Sequence, residues 1–415
     1  MIIQELKNRH ILSDMTSEEE LTKLLESDEK ITLYCGFDPT ADSLHVGSML
    51  PLMNMKRFKE HGHNVIALIG GATGLIGDPS FKASERQLNS VETVELFKRG
   101  ITEQIRSFLG DDVLIVDNLS WTQNMDVITF LRDIGKHFSV NAMMNKESVK
   151  RRIEREGDGI SFTEFSYQLL QGMDFLKLKE MHGCCLQIGG SDQMGNITAG
   201  TNLIHRVMGN QEAAFGLTTK LITKSNGEKF GKSESGTVWL SKEKTSPFDF
   251  FQFWLKTTDE DVYTFLKFFS TMSVQEIDEL EKADKNRRPE AQMILAKEMT
   301  ELIHGEDGLK EAMEVTDAMI SGDFSHLALE TVKTIANGLE IAVVKKGVSI
   351  AEALVESGLA QSRTKAREFV RGKAVSVNGE KITDENLNLD DSHLVHEKFI
   401  FMKRGKRNMG CVIFD

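Results

Sequence analysis

The stretch Leu33-Tyr34-Cys35-Gly36-Phe37-Asp38-Pro39-Thr40-Ala41-Asp42-Ser43-Leu44-His45-Val46-Gly47-Ser48 opens as the end of a short apolar run. That run, Ile31 to Tyr34, is bounded by turn formers and predicts a buried strand. Pro39 and Ser43 fall in a turn, and from Leu44 onward Val46, Met49, Leu50 and Met53 carry helical apolar spacing. Thr40, His45 and Gly47 therefore sit where a strand hands over to a helix N-terminus. The unpaired N–H groups and positive dipole there suit phosphate. Gly47 lacks a side chain, so a flat ring could lie against the helix backbone. An ordinary βα turn with a capping residue and a surface histidine fits this stretch equally well.

A second stretch, Lys229-Phe230-Gly231-Lys232-Ser233, follows the turn Lys224-Ser225-Asn226-Gly227-Glu228 and sets two lysines on a glycine-containing loop. Together the two stretches resemble the signature motifs of class I aminoacyl-tRNA synthetases, usually written H-I-G-H and K-M-S-K-S. They stand here as His45-Val46-Gly47-Ser48 and Lys229-Phe230-Gly231-Lys232-Ser233. The Phe-Gly form of the second motif is similar to that of the tyrosyl branch.

Length and composition bound the class. The 415 residues predict two or three domains. No run approaches the roughly 18 apolar residues of a membrane helix, and Met1 to His10 has no signal-peptide core. Cys35, Cys184, Cys185 and Cys411 show neither C-x-x-C nor disulfide-like spacing, which predicts a reduced, cytoplasmic protein with no membrane association. The net charge of −13 argues against a surface coated for nucleic acid. Residues 348–415, however, hold 11 basic and 10 acidic residues against 39 and 53 elsewhere, so an acidic body carries a tail able to present a local cationic patch.

In chain order, residues up to about Lys30 read as helical, with Leu21, Leu24 and Leu25 as a small apolar face. Asn64 to Gly70 is a second buried strand, and strand–helix–strand implies a parallel pair with a right-handed crossover. The glycine-rich Gly70-Gly71-Ala72-Thr73-Gly74 does not match G-x-G-x-x-G, and no G-K-[ST] follows. Its glycines instead suit close approach to a ligand, with Asp78 at the carboxyl end of the strand or else in a solvated turn. Asp112 to Asn118 is a third strand, after a helix from Val91 to Leu109. Ser161-Phe162-Thr163-Glu164 has the form of a capping box before a helix from Phe165 to Leu178. In that helix Tyr167, Gln171 and Asp174 fall at i, i+4 and i+7 on one side, which is either a wet face or a polar ligand grip. Cys184 to Ile188 is a fourth strand, running into Gly189-Gly190-Ser191-Asp192-Gln193. Leu221-Ile222-Thr223 reads as a short strand before the lysine loop.

From Pro247 an aromatic, helix-rich segment begins, with a break at Ser321-Gly322-Asp323. The expected division is 1–245 (Rossmann-like α/β parallel-sheet catalytic domain), 246–322 (α-helical anticodon-side domain), 323–347 (linker) and 348–415 (α+β). The last unit, with Leu359-Ala360, Ser362, Ala366-Arg367, Gly372 and Val375 to Gly379, resembles the αL RNA-binding module of a small-subunit ribosomal protein. Arg363, Lys365, Arg367, Arg371 and Lys373, with Lys403, Arg404, Lys406 and Arg407, are its candidate RNA-binding cations. A solvated charged helix is the plain alternative for any one of them.

The whole chain resembles bacterial-type tyrosyl-tRNA synthetases. By matching positions, the resemblance implies that Tyr34 and Asp174 hold the phenol of L-tyrosine. It also implies that Tyr167, Gln171 and Asp78 hold the ammonium group, with Gln193 beside the carboxylate. Gly36, Asp38, Gly47, Ser48, Gly190, Asp192 and Lys232 would line the ATP site, with Leu221 and Ile222 near adenine. Thr40, His45, Lys82, Arg86, Lys229 and Lys232 would stabilise the transition state as the tyrosine carboxylate attacks the α-phosphate. The tyrosyl group would then pass to the 3′ end of tRNA(Tyr). Mg2+ would enter with ATP, with no protein metal site, and the enzyme would be a homodimer. Ser48 departs from the family's usual second histidine and reaches less far. A tryptophanyl synthetase and a non-enzymatic RNA-binding relative are the alternatives.

Overall fold

The computed structural model describes residues 1–79, 88–154, 159–225, 227, 230–233, 236–284, 290–406 and 408–415. They form two compact units, one of residues 1–246 with 252–303 and one of residues 247–251 with 304–415.

The first unit is built on a six-stranded sheet. Its strands are β1 (Leu12–Met15), β2 (Thr32–Phe37), β3 (Asn64–Ile69), β4 (Leu114–Asp117), β5 (Leu186–Gly190) and β6 (Phe215–Thr219), in the order β1-β6-β5-β2-β3-β4. Only β1 runs antiparallel to its neighbour. The apolar runs read from the sequence become the central parallel strands, which are covered on both faces and so need no alternation. The sequence pattern places β1 within a helical segment. Its four residues alternate poorly and it owes its existence to pairing with β6, far along the chain. The chain winds outward from β2 through β3 to β4, then returns to β5 on the other side of β2. The crevice at the carboxyl ends of β2 and β5 is thus the topological switch point, where open α/β sheets take ligands.

Four helices frame this crevice: α1 (Met49–Glu60), α2 (Val91–Leu109), α3 (Phe162–His182) and α4 (Met194–Met208). Ser161 caps α3 by accepting from the Glu164 amide, but the Glu164 carboxylate turns away to Arg152 at 3.0 Å, so only half of the capping box forms. α3 has eleven buried residues, including Tyr167, Gln171 and Asp174, so its polar stripe faces inward. α5 (Val262–Phe269) also belongs to this unit. Leu221 and Ile222 lie in irregular backbone, and only Thr223 makes an isolated bridge, so the expected strand is absent there.

The first unit also holds a two-stranded ribbon, β7 (Lys232–Ser233) with β8 (Gly236–Thr237), and the second unit is organised on a five-stranded sheet. The five strands are β9 (Ile341–Val344), β10 (Val375–Val377), β11 (Glu380–Lys381), β12 (Phe399–Arg404) and β13 (Asn408–Phe414), in the order β11-β10-β12-β13-β9. Strand alternation divides β12 between two cores. Phe399 and Phe401 join Phe324 and Val332 on one face, while Ile400 and Met402 join Leu354 and Val370 on the other. Its helices include α6 (Leu329–Asn337), α7 (Ile350–Glu356) and α8 (Arg363–Arg371). The stretch 323–347, expected as a linker, instead supplies α6 and β9. β9 pairs parallel with β13, a partner at the far C-terminal end that local pattern does not reveal. Residues 246–322 are likewise not one body: 252–303 pack with the first unit and 304 onward with the second. The long helical stretch Ala291–Ser321 breaks between them at Gly305, whose φ is 72°.

Candidate active site

A cleft of about 480 Å³ opens at the switch point. It is lined by Tyr34, Gly36, Asp38, Thr40, His45, Gly47, Ser48, Asp78, Tyr167, Gln171, Asp174, Gly190, Asp192 and Gln193 among the residues singled out from sequence. Lys82, Arg86, Lys229 and Arg407 lie outside the described residues. Lys232 is described, stands exposed on a two-residue strand and does not line the cleft. Neither Leu221 nor Ile222 lines the cleft: Leu221 is exposed, though a Cβ on Gly190 would meet its Cδ2 at 3.0 Å, and Ile222 is half-buried.

At the closed end the Asp174 carboxylate is 2 % exposed. Asn118 donates to its Oδ2 at 2.9 Å and the Trp121 indole to its Oδ1 at 2.9 Å. Burial pushes the carboxyl up to about 7 despite these two donors. Beside it the Tyr34 hydroxyl is fully buried with no hydrogen-bond partner among the described residues, and burial followed by the Asp174 charge keeps it protonated. Gln187, which pairs with Tyr34 across β2 and β5, is buried, lines the cleft and leaves Oε1 without a partner among the described residues. Buried polar atoms are almost always satisfied in folded proteins, so unpaired ones converging on a cleft mark where a polar ligand docks.

A hydrogen-bonded chain links this end to the rest of the cleft. Asn118 also donates to Thr73 at 3.0 Å, and Thr73 to Asp38 Oδ1 at 2.7 Å. Tyr167 donates to Asp38 Oδ2 at 2.8 Å. Gln193 donates to Asp78 at 2.8 Å, and Gln171 to Gln193 at 3.3 Å. Asp38, which the resemblance places on the nucleotide side, thus bonds to Tyr167 of the expected ammonium grip. Gly70 is required by this arrangement, since a Cβ there would lie 2.0 Å from Asp38 Oδ1.

At the open end, His45 precedes a 3-10 turn, Val46–Ser48, that leads into α1. Its Nδ1 accepts from the Gly47 amide at 2.9 Å, which leaves Nε2 as the protonated nitrogen of a neutral ring. Burial lowers the His45 pKa, favouring that neutral form. Gly47 makes room chiefly for this imidazole: a Cβ there would fall 2.6 Å from His45 Cε1. Gly36, by contrast, has open space where its Cβ would point, as a site lined by bare backbone requires. Burial, then the neighbouring Asp78, raises the Asp192 pKa. Asn118, Trp121, Thr73 and Gln187 carry no periodic signal in the sequence; of the four only Asn118 directly follows a strand end.

The candidate RNA-binding cations divide into three groups. Arg363, Lys365 and Arg371 pair at the surface with Glu352, Glu368 and Glu385 at 2.8, 2.5 and 2.8 Å. Such exposed pairs contribute about 0–1 kcal/mol and yield readily to phosphate. Lys403 instead donates to the carbonyls of Met319 and Ile320, while Arg404 donates to that of Leu359 and lies over the Phe369 ring at 4.9 Å. Arg367, Lys373 and Lys406 stand exposed.

A parallel sheet with a ligand cleft at its switch point, a helix N-terminus at one end and a buried carboxylate at the other defines a nucleotide-using α/β enzyme. Residues 26–321 match the family model for class I tRNA synthetases (W and Y), and residues 331–412 match that of the tyrosine--tRNA ligase SYY-like C-terminal domain. The chain is 50% identical to the tyrosine--tRNA ligase of Neisseria meningitidis serogroup A, with 100% of this chain and 99% of the relative covered. It is also 50% identical to that of Escherichia coli strain 55989, with 99% and 98% covered. A C-terminally truncated mitochondrial tyrosyl-tRNA synthetase from Aspergillus nidulans superimposes with a TM-score of 0.67 at 30% identity, covering 76% of this chain and 93% of that one. The chain belongs to the tyrosine--tRNA ligase family of class I aminoacyl-tRNA synthetases. The tryptophanyl alternative is not favoured; the tryptophanyl-tRNA synthetase of Plasmodium falciparum, at 17% identity, shares the fold alone.

The raised Asp174 pKa carries a stability signature. Between its ordinary value of 3.8 and about 7 the folded state holds a proton that the unfolded chain has lost. Stability from this group is therefore full below pH 3.8 and is lost as pH rises through about 7. Asp174→Asn removes that loss, so its melting temperature relative to the parent protein should climb between pH 5 and 7.5, as thermal melts at several pH values would record.

Proposed function

We propose that this chain activates L-tyrosine with Mg·ATP, releasing pyrophosphate, and transfers the tyrosyl group from tyrosyl-adenylate to the 3′-terminal ribose of tRNA(Tyr), releasing AMP. The observation that carries this reading is the buried Asp174 carboxylate beside the unpartnered Tyr34 hydroxyl. A phenol O–H donates to the one and accepts from the other. Phenylalanine leaves both desolvated without a partner, which disfavours it. Asp78, Tyr167 and Gln171 take the ammonium group, and Gln193 lies by the carboxylate.

In the first step a tyrosine carboxylate oxygen bonds to the α-phosphorus while the bond to pyrophosphate breaks. The substrate is the nucleophile, so the protein supplies position and charge. His45, Thr40 and the backbone amides at the start of α1 stabilise phosphate oxygens through hydrogen bonds. Asp38, Asp78, Asp174 and Asp192 line the same cleft, so a polyphosphate needs Mg2+ and the cations Lys82, Arg86, Lys229 and Lys232 to offset like charge. In the second step the ribose hydroxyl attacks the tyrosyl carbonyl and AMP leaves.

Pyrophosphate exchange into ATP should depend on tyrosine and not on tryptophan or phenylalanine. Asp174→Ala should abolish it while remaining folded; near-normal exchange by that variant refutes the phenol assignment.

Arg367, Lys373 and Lys406, with the loosely paired Arg363, Lys365 and Arg371, contact tRNA phosphates in this reading. Arg367→Glu with Lys373→Glu should raise the KM for tRNA about tenfold and weaken its salt dependence, leaving pyrophosphate exchange intact. Equal losses in both assays would contradict a role confined to tRNA.

Homodimerisation is supported by exposed apolar side chains, with Val127 at 69 %, Ile128 at 68 % and Phe162 at 77 %. Phe162→Asp should convert a dimer into a monomer in sedimentation; a monomeric parent protein would rule the dimer out. The four buried thiols, none in a disulfide, suit the reducing cytoplasm in which the three substrates meet.

A further inference from the structure

Phe230, inside the second signature motif, sends its ring into an aromatic socket. It stacks on Phe269 at 5.6 Å with the planes 17° apart, and meets Phe265 at 5.0 Å, Phe253 at 5.6 Å and Trp254 at 5.7 Å. Phe265, Phe269 and Trp254 are themselves buried. Gly231 follows with φ 88°, and a Cβ there would lie 3.1 Å from Val46 Cγ2. Its carbonyl accepts from the Val238 amide at 3.0 Å, and Lys232 then pairs with Thr237.

The socket is tied back to the first motif by a separate route. Phe265 and Phe269 are on α5, whose C-terminal carbonyls are gripped by buried arginines. Arg57 donates to Phe268 O at 2.9 Å, and Arg9 to Lys267 O at 3.1 Å and Met272 O at 2.7 Å. Arg57 is near the end of α1, the helix that starts just after His45-Val46-Gly47, roughly 16 Å away along the helix. A closed circuit results: first motif, α1, Arg57, α5, Phe230, Gly231, then Val238, whose amide donates to Gly231 O at 3.0 Å and whose carbonyl accepts from the Val46 amide of the first motif at 3.0 Å.

We propose that Phe230 is a positioning residue that, with Arg57 closing the circuit, fixes where Lys232 leaves the backbone relative to His45 and Gly47. The inference deepens the tyrosine-activation reading and rests on it for the role of Lys232. Without the ring, Gly231 loses its fixed place at the Val238 amide and the two motifs lose a common frame, while the tyrosine pocket on α3 is untouched.

The test compares Phe230→Ala, Phe230→Leu, Arg57→Gln and the Phe230→Ala/Arg57→Gln double variant in the full chain. Single-turnover adenylate formation should slow about tenfold or more in Phe230→Ala and Arg57→Gln, with tyrosine affinity within about twofold, and Phe230→Leu should recover most of the rate. The double variant should be no slower than the worse single one, because both break one circuit. Hydrogen exchange over residues 231–239 should quicken in both single variants. Multiplying losses, an unchanged rate or an unchanged exchange pattern overturns the proposal. If Phe230→Ala does not fold, Phe269→Leu replaces it under the same criteria. Failure of the parent protein to activate tyrosine would overturn the functional reading instead, and the exchange measurement then decides the circuit by itself.

Discussion

The site depends on a carboxylate placed where water does not reach. Asp174 receives two hydrogen bonds, each of a kind that contributes about 1.5–3 kcal/mol when one partner is charged. Its pKa nonetheless sits near 7, so desolvation outweighs both donors. A group poised in this way has a deficit that a third donor can remove, and the phenol of tyrosine is shaped to be that donor. The same carboxylate orients Asn118, and through it Thr73, Asp38 and Tyr167. One buried charge thereby sets the geometry of side chains at both ends of the substrate.

The sheet topology makes this possible. β2 and β5 are adjacent in space and distant in sequence, so Tyr34 and Gln187 lie side by side while the loops beyond them diverge. The divergence leaves a crevice with backbone-lined walls at Gly36 and Gly190. α3 crosses it with a polar face turned inward, at the expense of helix-surface solubility, and burial of that face is possible only because each polar group has a partner or a ligand to meet.

Much of this was legible in the sequence because motif residues cluster at strand ends. Asp38, Gly190 and Gln193 lie at or just past strand ends, and spacing alone sets Tyr167, Gln171 and Asp174 on one helix face; what each of them would hold came from the family resemblance. Asn118, Trp121 and Gln187 were not legible, since an isolated polar residue near a strand gives no periodic signal and its importance lies in partners distant along the chain. The strands β1 and β9 escaped for a related reason: each is short, and each is defined by a partner at the opposite end of its unit. Charge counts showed a C-terminal module near neutral beside an acidic body but could not separate Lys403 and Arg404, which are tied to backbone carbonyls, from Arg367 and Lys373, which stand exposed. The domain division shifted because aromatic packing around Phe230, invisible to composition, draws residues 252–303 into the first unit.

The most direct test of the central claim is the proton released when tyrosine binds, measured by calorimetry near pH 6.5 in two buffers of different ionisation enthalpy. A phenol donating to Asp174 favours its ionised form, so binding should expel a substantial fraction of a proton at this pH and progressively less above pH 8, with the release absent in Asp174→Asn. Tyrosine binding with no proton linkage, or linkage that survives in Asp174→Asn, would contradict the assignment of this carboxylate as the group that reads the phenol.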